Sequence, residues 1–245
     1  MGQSTVQRIR SALFDLVLAV WTGLFVPALV ILWLCGSPER CVRLLSRFWA
    51  RGVLVGLNAI VGLSYTERGK SNIPGEPCLI IANHQSTWET LAFLILLPDV
   101  AIVAKQELLT IPVFAWFLRK SPMILIDRES GLKAVRKMVD ESQTALAQGR
   151  SVLIFPEGTR KQASEPIEFK RGVELLYAKL GRPVLPIALN SGLFWAPDGS
   201  YKRAGMITVA YLSPIEPGLP GHEFTRRAEE LLEAGRQRSS WPQAA

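Results

Sequence analysis

The sequence predicts an α/β protein, a mixed and largely parallel sheet flanked by helices, preceded by a membrane-embedded helical hairpin. Three observations predict it. Short apolar runs alternate with helical patterns from residue 78 onward, as in strand–helix folds. The N-terminal segment carries an uncharged run of bilayer length. Polar residues recur just after the apolar runs, where sites of α/β sheets lie.

The elements follow in order. Leu16 to Cys35 reads LVLAVWTGLFVPALVILWLC without a charge, and as a helix it would rise about 30 Å, the thickness of a hydrocarbon core. No small-x-small cleavage site follows it, so it reads as part of the mature chain. Arg8 and Arg10 precede the run, and Arg40, Arg43, Arg47 and Arg51 follow it. Basic residues favour the cytoplasmic side, so two basic flanks fit a hairpin dipping into one leaflet better than a single crossing. Pro27 favours a kink within it. A second apolar stretch, Phe48 to Leu63, supplies the returning arm. Trp21, Trp33 and Trp49 suit either interfacial anchoring or packing.

The expected organisation is a hairpin over 1–63, an α/β domain over 64–234 and a disordered polar tail over 235–245. Residues 78–82, 100–104, 123–126, 151–155, 184–189 and 206–212 read as strands, and their near-continuous apolar character implies burial on both faces. Leu132 to Gln148 has an apolar stripe opposite charges, with Gly149 as its stop. Gly172 to Leu180 is a second helix, closed by Gly181 and Pro183.

The net charge of +7 points to an anionic partner, a membrane surface or a phosphate-bearing substrate. No zinc-finger spacing or aromatic-interleaved basic helix is present, so nucleic acid is not the expected partner. The chain has two histidines and three cysteines without C-x-x-C spacing; this excludes a His-rich metal site, and the cysteines read as reduced apolar residues.

Four strand ends deliver polar residues: His84, Lys105, Arg128 and Glu157. In NHQSTWE (83–89), His84 and Glu89 would lie about 140° apart on one helix, but they can meet if His84 sits in the loop and Glu89 in the first turn. Two readings stay open here. Ser86 and Glu89 match a capping box, and a carboxylate facing an imidazole also suits acid–base chemistry near neutral pH. In FPEGTR (155–160), glycine permits close backbone approach, and Arg160 offers a planar fork for phosphate. Candidate oxyanion donors are backbone N–H groups near residue 86 or in the Pro-Glu-Gly turn.

Taken with AKQEL (104–108), LIDRES (125–130) and VLPIALN (184–190), these motifs resemble, in order, the glycerolipid acyltransferases, most nearly the 1-acylglycerol-3-phosphate acyltransferases. The resemblance implies that His84 acts as general base and Glu89 orients it. It implies that Lys105, Arg128 and Arg160 hold the acceptor's phosphate, and that Glu157, Gly158 and Thr159 shape the acceptor pocket. It implies a membrane-associated enzyme on the cytoplasmic face, acylating lysophosphatidic acid from acyl-CoA or acyl-carrier-protein, without metal or other cofactor. Glu89 stands where the family has Asp. Rival expectations are another lyso-lipid acceptor, such as lyso-ornithine lipid or lysophosphatidylglycerol, or a non-catalytic lipid-binding protein.

Overall fold

The computed structural model describes residues 2–110, 112–127, 130–199 and 201–240. Its centre is a seven-stranded sheet in the order β1-β7-β6-β2-β5-β3-β4. The strands are β1 (Leu63–Arg68), β2 (Leu79–Ala82), β3 (Val100–Lys105), β4 (Ile124–Ile126), β5 (Ser151–Ile154), β6 (Val184–Leu189) and β7 (Gly205–Tyr211). Neighbours pair in parallel except β6 with β7, so the mixed, largely parallel sheet expected from the sequence forms. Each expected strand is present. β1 was not foreseen: LSYTER is an edge strand paired, among the described residues, only with β7, and an edge needs no apolar second face.

Period-two alternation divides the core. On β2, Ile80 and Ala82 face one cluster with Trp88, Phe93 and Leu57. Leu79 and Ile81 face the other, with Met138, Leu176 and Phe224. The first layer is covered by α4 (Trp88–Leu96) and the N-terminal helices. The second is covered by α6 (Leu132–Ala147), α7 (Gly172–Leu180) and α8 (Gly221–Ser240); α5 (Pro112–Lys120) lies between β3 and β4 in sequence.

At the N-terminus, α1 (Gly2–Leu24) breaks at Phe25 and resumes as α2 (Val26–Leu34), with Pro27 in the first turn of α2. After a turn, α3 (Glu39–Gly56) returns and runs into a π-helical turn, Leu57–Val61. Indoles tie the arms together. Trp21 Nε1 donates to the Trp49 carbonyl at 3.0 Å, and Trp49 Nε1 donates to Thr22 Oγ1 at 3.2 Å. A Cβ at Gly52 would lie 2.3 Å from the Trp21 ring, so glycine is required for this approach. Both arms are long and apolar enough to cross a membrane by length and composition. Leu16, Val20, Leu24, Ile31 and Trp33 are exposed.

Two basic residues of the flank dock α3 onto the domain. Arg47 Nη1 donates to the Leu97 carbonyl at 3.2 Å, beyond the last turn of α4, and Arg43 pairs with Asp99 at 3.1 Å. On the same face of the sheet, Lys202 Nζ meets Asp15 of α1 at 2.7 Å. It lies 5.5 Å from the Phe14 ring centroid and 5.0 Å from that of Trp195.

The disordered tail expected from 235 needs correction. α8 continues to Ser240, and Gly235 abuts β6 so closely that a Cβ would stand 2.7 Å from Ala188 Cβ. Phe224, Ala228 and Leu232 are fully buried, and their helical spacing carries the packed stripe on to residue 235. Residues 241–245 lie outside the described residues.

Candidate active site

The site is built where β2 ends. Asn83 extends the β2–β6 ladder with its side chain, donating to the Leu189 carbonyl at 3.0 Å and accepting from the Leu189 amide at 2.8 Å. His84 follows in the loop before α4. FPEGTR and the Lys161 that follows it hold the His84 backbone from both sides. Its amide donates to Glu157 Oε1 at 2.7 Å, and its carbonyl accepts from the Lys161 amide at 2.8 Å. The imidazole stacks on Phe155, with ring centroids 4.1 Å apart.

Glu89 lies in the first turn of α4 with 0% exposure. Its Oε1 accepts from the amides of Gln85 and Ser86, both at 2.6 Å, and lies 3.0 Å from His84 Nδ1. Its Oε2 accepts from the hydroxyls of Ser86 at 2.6 Å and Ser191 at 2.8 Å. Thus the carboxylate both caps the turn and faces the imidazole. The capping box differs in detail, because the Ser86 hydroxyl accepts from the Trp88 amide at 3.0 Å. Burial alone would raise the Glu89 pKa, but the hydrogen bonds and charge of His84 and the bonds from Ser86 outweigh it and hold it below its ordinary value.

An ionised carboxylate only accepts hydrogen bonds. His84 Nδ1 therefore carries its proton towards Glu89, which leaves Nε2 of the neutral ring with the lone pair. That nitrogen is suited to take a proton.

His84 lines a cavity of about 1380 Å³. The lining continues to Leu18, Phe25 and Trp49 of the N-terminal helices, and on the other side to Lys105, Thr159 and Arg160. An apolar approach and a cationic end therefore share one space with the imidazole.

The other expected site residues are distributed unevenly. Lys105, Gly158, Thr159 and Arg160 line the cavity, and Arg160 Nη1 donates to the Pro197 carbonyl at 2.8 Å. Gly158 adopts φ +74°, the left-handed conformation that favours glycine. Glu157 does something else. It is 2% exposed and holds the His84 amide, and burial pushes its carboxyl up to about 7, assisted by the nearby charge of Glu89. Arg128 lies outside the described residues. The amides of residues 85, 86 and 88 are committed to Glu89 and Ser86, and that of Gly158 to the Phe155 carbonyl at 3.0 Å. These expected oxyanion donors are therefore already engaged.

Sequence reasoning missed Asn83, Phe155 and Ser191. Asn83 and Phe155 sit inside the motifs and carried a signal. Ser191, 102 positions from Glu89, carried none.

This fold and this site define an acyltransferase, and the chain belongs to that family: the family described as Acyltransferase matches residues 64–190. A 1-acyl-sn-glycerol-3-phosphate acyltransferase of Pseudomonas aeruginosa is 38% identical over 211 residues, spanning 84% of this chain and 80% of that one. The human 1-acyl-sn-glycerol-3-phosphate acyltransferase alpha is 32% identical over 168 residues, 67% of this chain and 59% of the human one. The crystal structure of the 1-acyl-sn-glycerophosphate (LPA) acyltransferase PlsC from Thermotoga maritima superposes with a TM-score of 0.78 over 97% of this chain and 100% of that one. At 22% identity that likeness concerns the fold.

Proposed function

We propose that this protein is a membrane-associated O-acyltransferase that converts lysophosphatidic acid to phosphatidic acid, taking the acyl group from acyl-CoA or acyl-carrier-protein. The observation that carries this reading is the His84–Glu89 pair, 3.0 Å apart, opening on a cavity that reaches the apolar N-terminal helices. The names of the relatives from P. aeruginosa and human support the acceptor.

His84 Nε2 takes the proton of the acceptor hydroxyl as that oxygen attacks the thioester carbonyl. Glu89 holds the imidazole and stabilises the imidazolium that forms. Collapse of the tetrahedral intermediate breaks the carbon–sulfur bond, and the departing thiolate takes the proton back from Nε2. The new ester and free thiol balance the reaction, which needs no redox cofactor or metal. Lys105, Arg128 and Arg160 pair with the acceptor's phosphate, Arg160 in the bidentate manner its planar fork permits. Gly158 and Thr159 shape the wall beside it, while Glu157 holds the loop bearing His84. Residues 1–63 form the membrane hairpin, seated at the cytoplasmic face, and the α/β domain follows from residue 64.

The test offers labelled acyl-CoA and acyl-carrier-protein separately with lysophosphatidic acid, in vesicles, to wild type and His84→Ala. Product from the wild type alone supports the reading and names the donor. If the wild type makes none but acylates lyso-ornithine lipid or lysophosphatidylglycerol, the acceptor assignment fails and the chemistry stands. If it acylates no lyso-lipid, catalysis by this site is refuted.

A further inference from the structure

We propose that Ser191 is a positioning residue for acyl transfer: its hydroxyl fixes the plane of the Glu89 carboxylate, which in turn fixes His84. This deepens the acyl-transfer reading and rests on it. Ser191 opens the short 3₁₀ turn Ser191–Leu193 directly after β6 and is fully buried.

The hydrogen-bond bookkeeping at Glu89 isolates its role. Oε1 is shared by His84 Nδ1 and the amides of Gln85 and Ser86, all from the loop that carries His84. Oε2 is held by two hydroxyls, and that of Ser86 belongs to the same loop. Among the described residues, Ser191 is the contact to Glu89 that comes from another element, so it ties the carboxylate to the end of β6 rather than to its own turn. A hydroxyl has one proton, and at 2.8 Å that of Ser191 is directed to Oε2.

The position of Ser191 is itself fixed. Asn190 Oδ1 accepts from the Thr208 amide of β7 at 2.8 Å. The Gly192 amide donates to Gln85 Oε1 at 3.1 Å. A Cβ at Gly192 would lie 2.9 Å from Gln85 Cβ, so the backbone passes close to the His84 loop. The side chain of Glu89 has one more rotatable bond than Asp would have. A second anchor on Oε2 removes that freedom, and precise support of this kind sets how well a catalytic pair is preorganised.

The test compares wild type, Ser191→Ala, Glu89→Gln and the double variant, with Ser142→Ala as control. Ser142 is also fully buried, and its hydroxyl has no hydrogen-bond partner among the described residues. Two readouts are taken: steady-state acyl transfer to lysophosphatidic acid, and the proton resonance of His84 Nδ1–H in ¹⁵N-histidine-labelled protein. With two histidines in the chain, His84→Ala assigns that signal.

Expected for Ser191→Ala are a kcat lower by roughly tenfold, the scale of one hydrogen bond to a charged group, little change in KM, and a displaced Nδ1–H resonance. No further loss is expected when Glu89 is already Gln, and Ser142→Ala should match wild type. Full turnover with an unmoved resonance overturns the proposal. So does an equal loss in the Glu89→Gln background, because Ser191 would then act independently of Glu89. If wild type fails to acylate lysophosphatidic acid, the acceptor reading has failed, and the resonance alone decides the role of Ser191.

Discussion

The amide of His84 donates to Glu157 Oε1 at 2.7 Å, so the carboxylate of one motif holds the backbone of the other. The two segments are 73 residues apart in sequence, and the strands that deliver them, β2 and β5, are neighbours in the sheet. Parallel pairing places both strand ends on the same edge, and the loop geometry completes the contact.

Burial of the Glu157 carboxyl, against which the His84 amide bond works, predicts an inverted pH dependence of stability. The Glu157 carboxyl titrates near 7 in the fold, against an ordinary value of 4.5. Between those values the folded state binds more protons, so stability falls as pH rises through the window, by about 3 kcal/mol for a shift of this size. Glu157→Gln can still accept from the His84 amide but cannot ionise. Denaturant unfolding at pH 5 and pH 8 should show a smaller difference for the variant than for wild type; an equal difference would disprove the assignment.

Glu89 has the opposite sign. Its pKa is held below the ordinary 4.5, so its stabilisation is present above that value and lost as pH falls through its folded pKa. For function, Glu89→Gln is the informative change. The amide oxygen can accept from the Gln85 and Ser86 amides, and the NH₂ can face the Ser191 hydroxyl, which rotates to accept. The fold should survive, while kcat drops by about 10²–10⁴-fold for loss of the charge opposite the imidazolium. Circular dichroism with turnover measures both; wild-type turnover would remove the orienting role.

The sequence revealed much of this site because its chemistry is concentrated at strand ends. His84 and Glu89 lie within one contiguous motif, and strong apolar runs marked the strands on either side. What stayed hidden depends on long-range packing. Ser191 meets Glu89 only because β6 lies beside β2. β1 is a polar edge strand whose LSYTER lacks a continuous apolar run. α8 looked like a tail beyond residue 234 because its buried stripe is thin there, with Gly235 and Arg236 as the packed residues. Arg43 and Arg47 matched a membrane-orientation signal, yet their side chains bind Asp99 and the Leu97 carbonyl beyond α4.

Arg160 tests the phosphate assignment. Its guanidinium is exposed, lines the cavity and is steadied by the Pro197 carbonyl at 2.8 Å. Arg160→Ala should raise KM for lysophosphatidic acid roughly ten- to a hundredfold, the range for a charge-assisted hydrogen bond. Arg160→Lys should recover only part of that, because an ammonium lacks the planar fork. An unchanged KM for both variants would place the phosphate elsewhere.

The Lys202–Asp15 pair fastens the first helix to the domain, and its energetics follow from unequal burial. The Lys202 side chain is 3% exposed and that of Asp15 is 55% exposed. Asp15→Asn leaves an ammonium buried between Phe14 and Trp195 without its counter-charge. The loss should be about 1–3 kcal/mol, below that of a fully buried pair because solvent screens the Asp15 side. Lys202→Met removes the buried charge and fills the same space, leaving Asp15 free to hydrate. The pairing therefore predicts non-additivity: Lys202→Met should cost less in the Asp15→Asn background than in wild type. Thermal unfolding of the four proteins in one detergent measures the coupling. Additive shifts would mean that the aromatic cage, and not the ion pair, holds the helix in place.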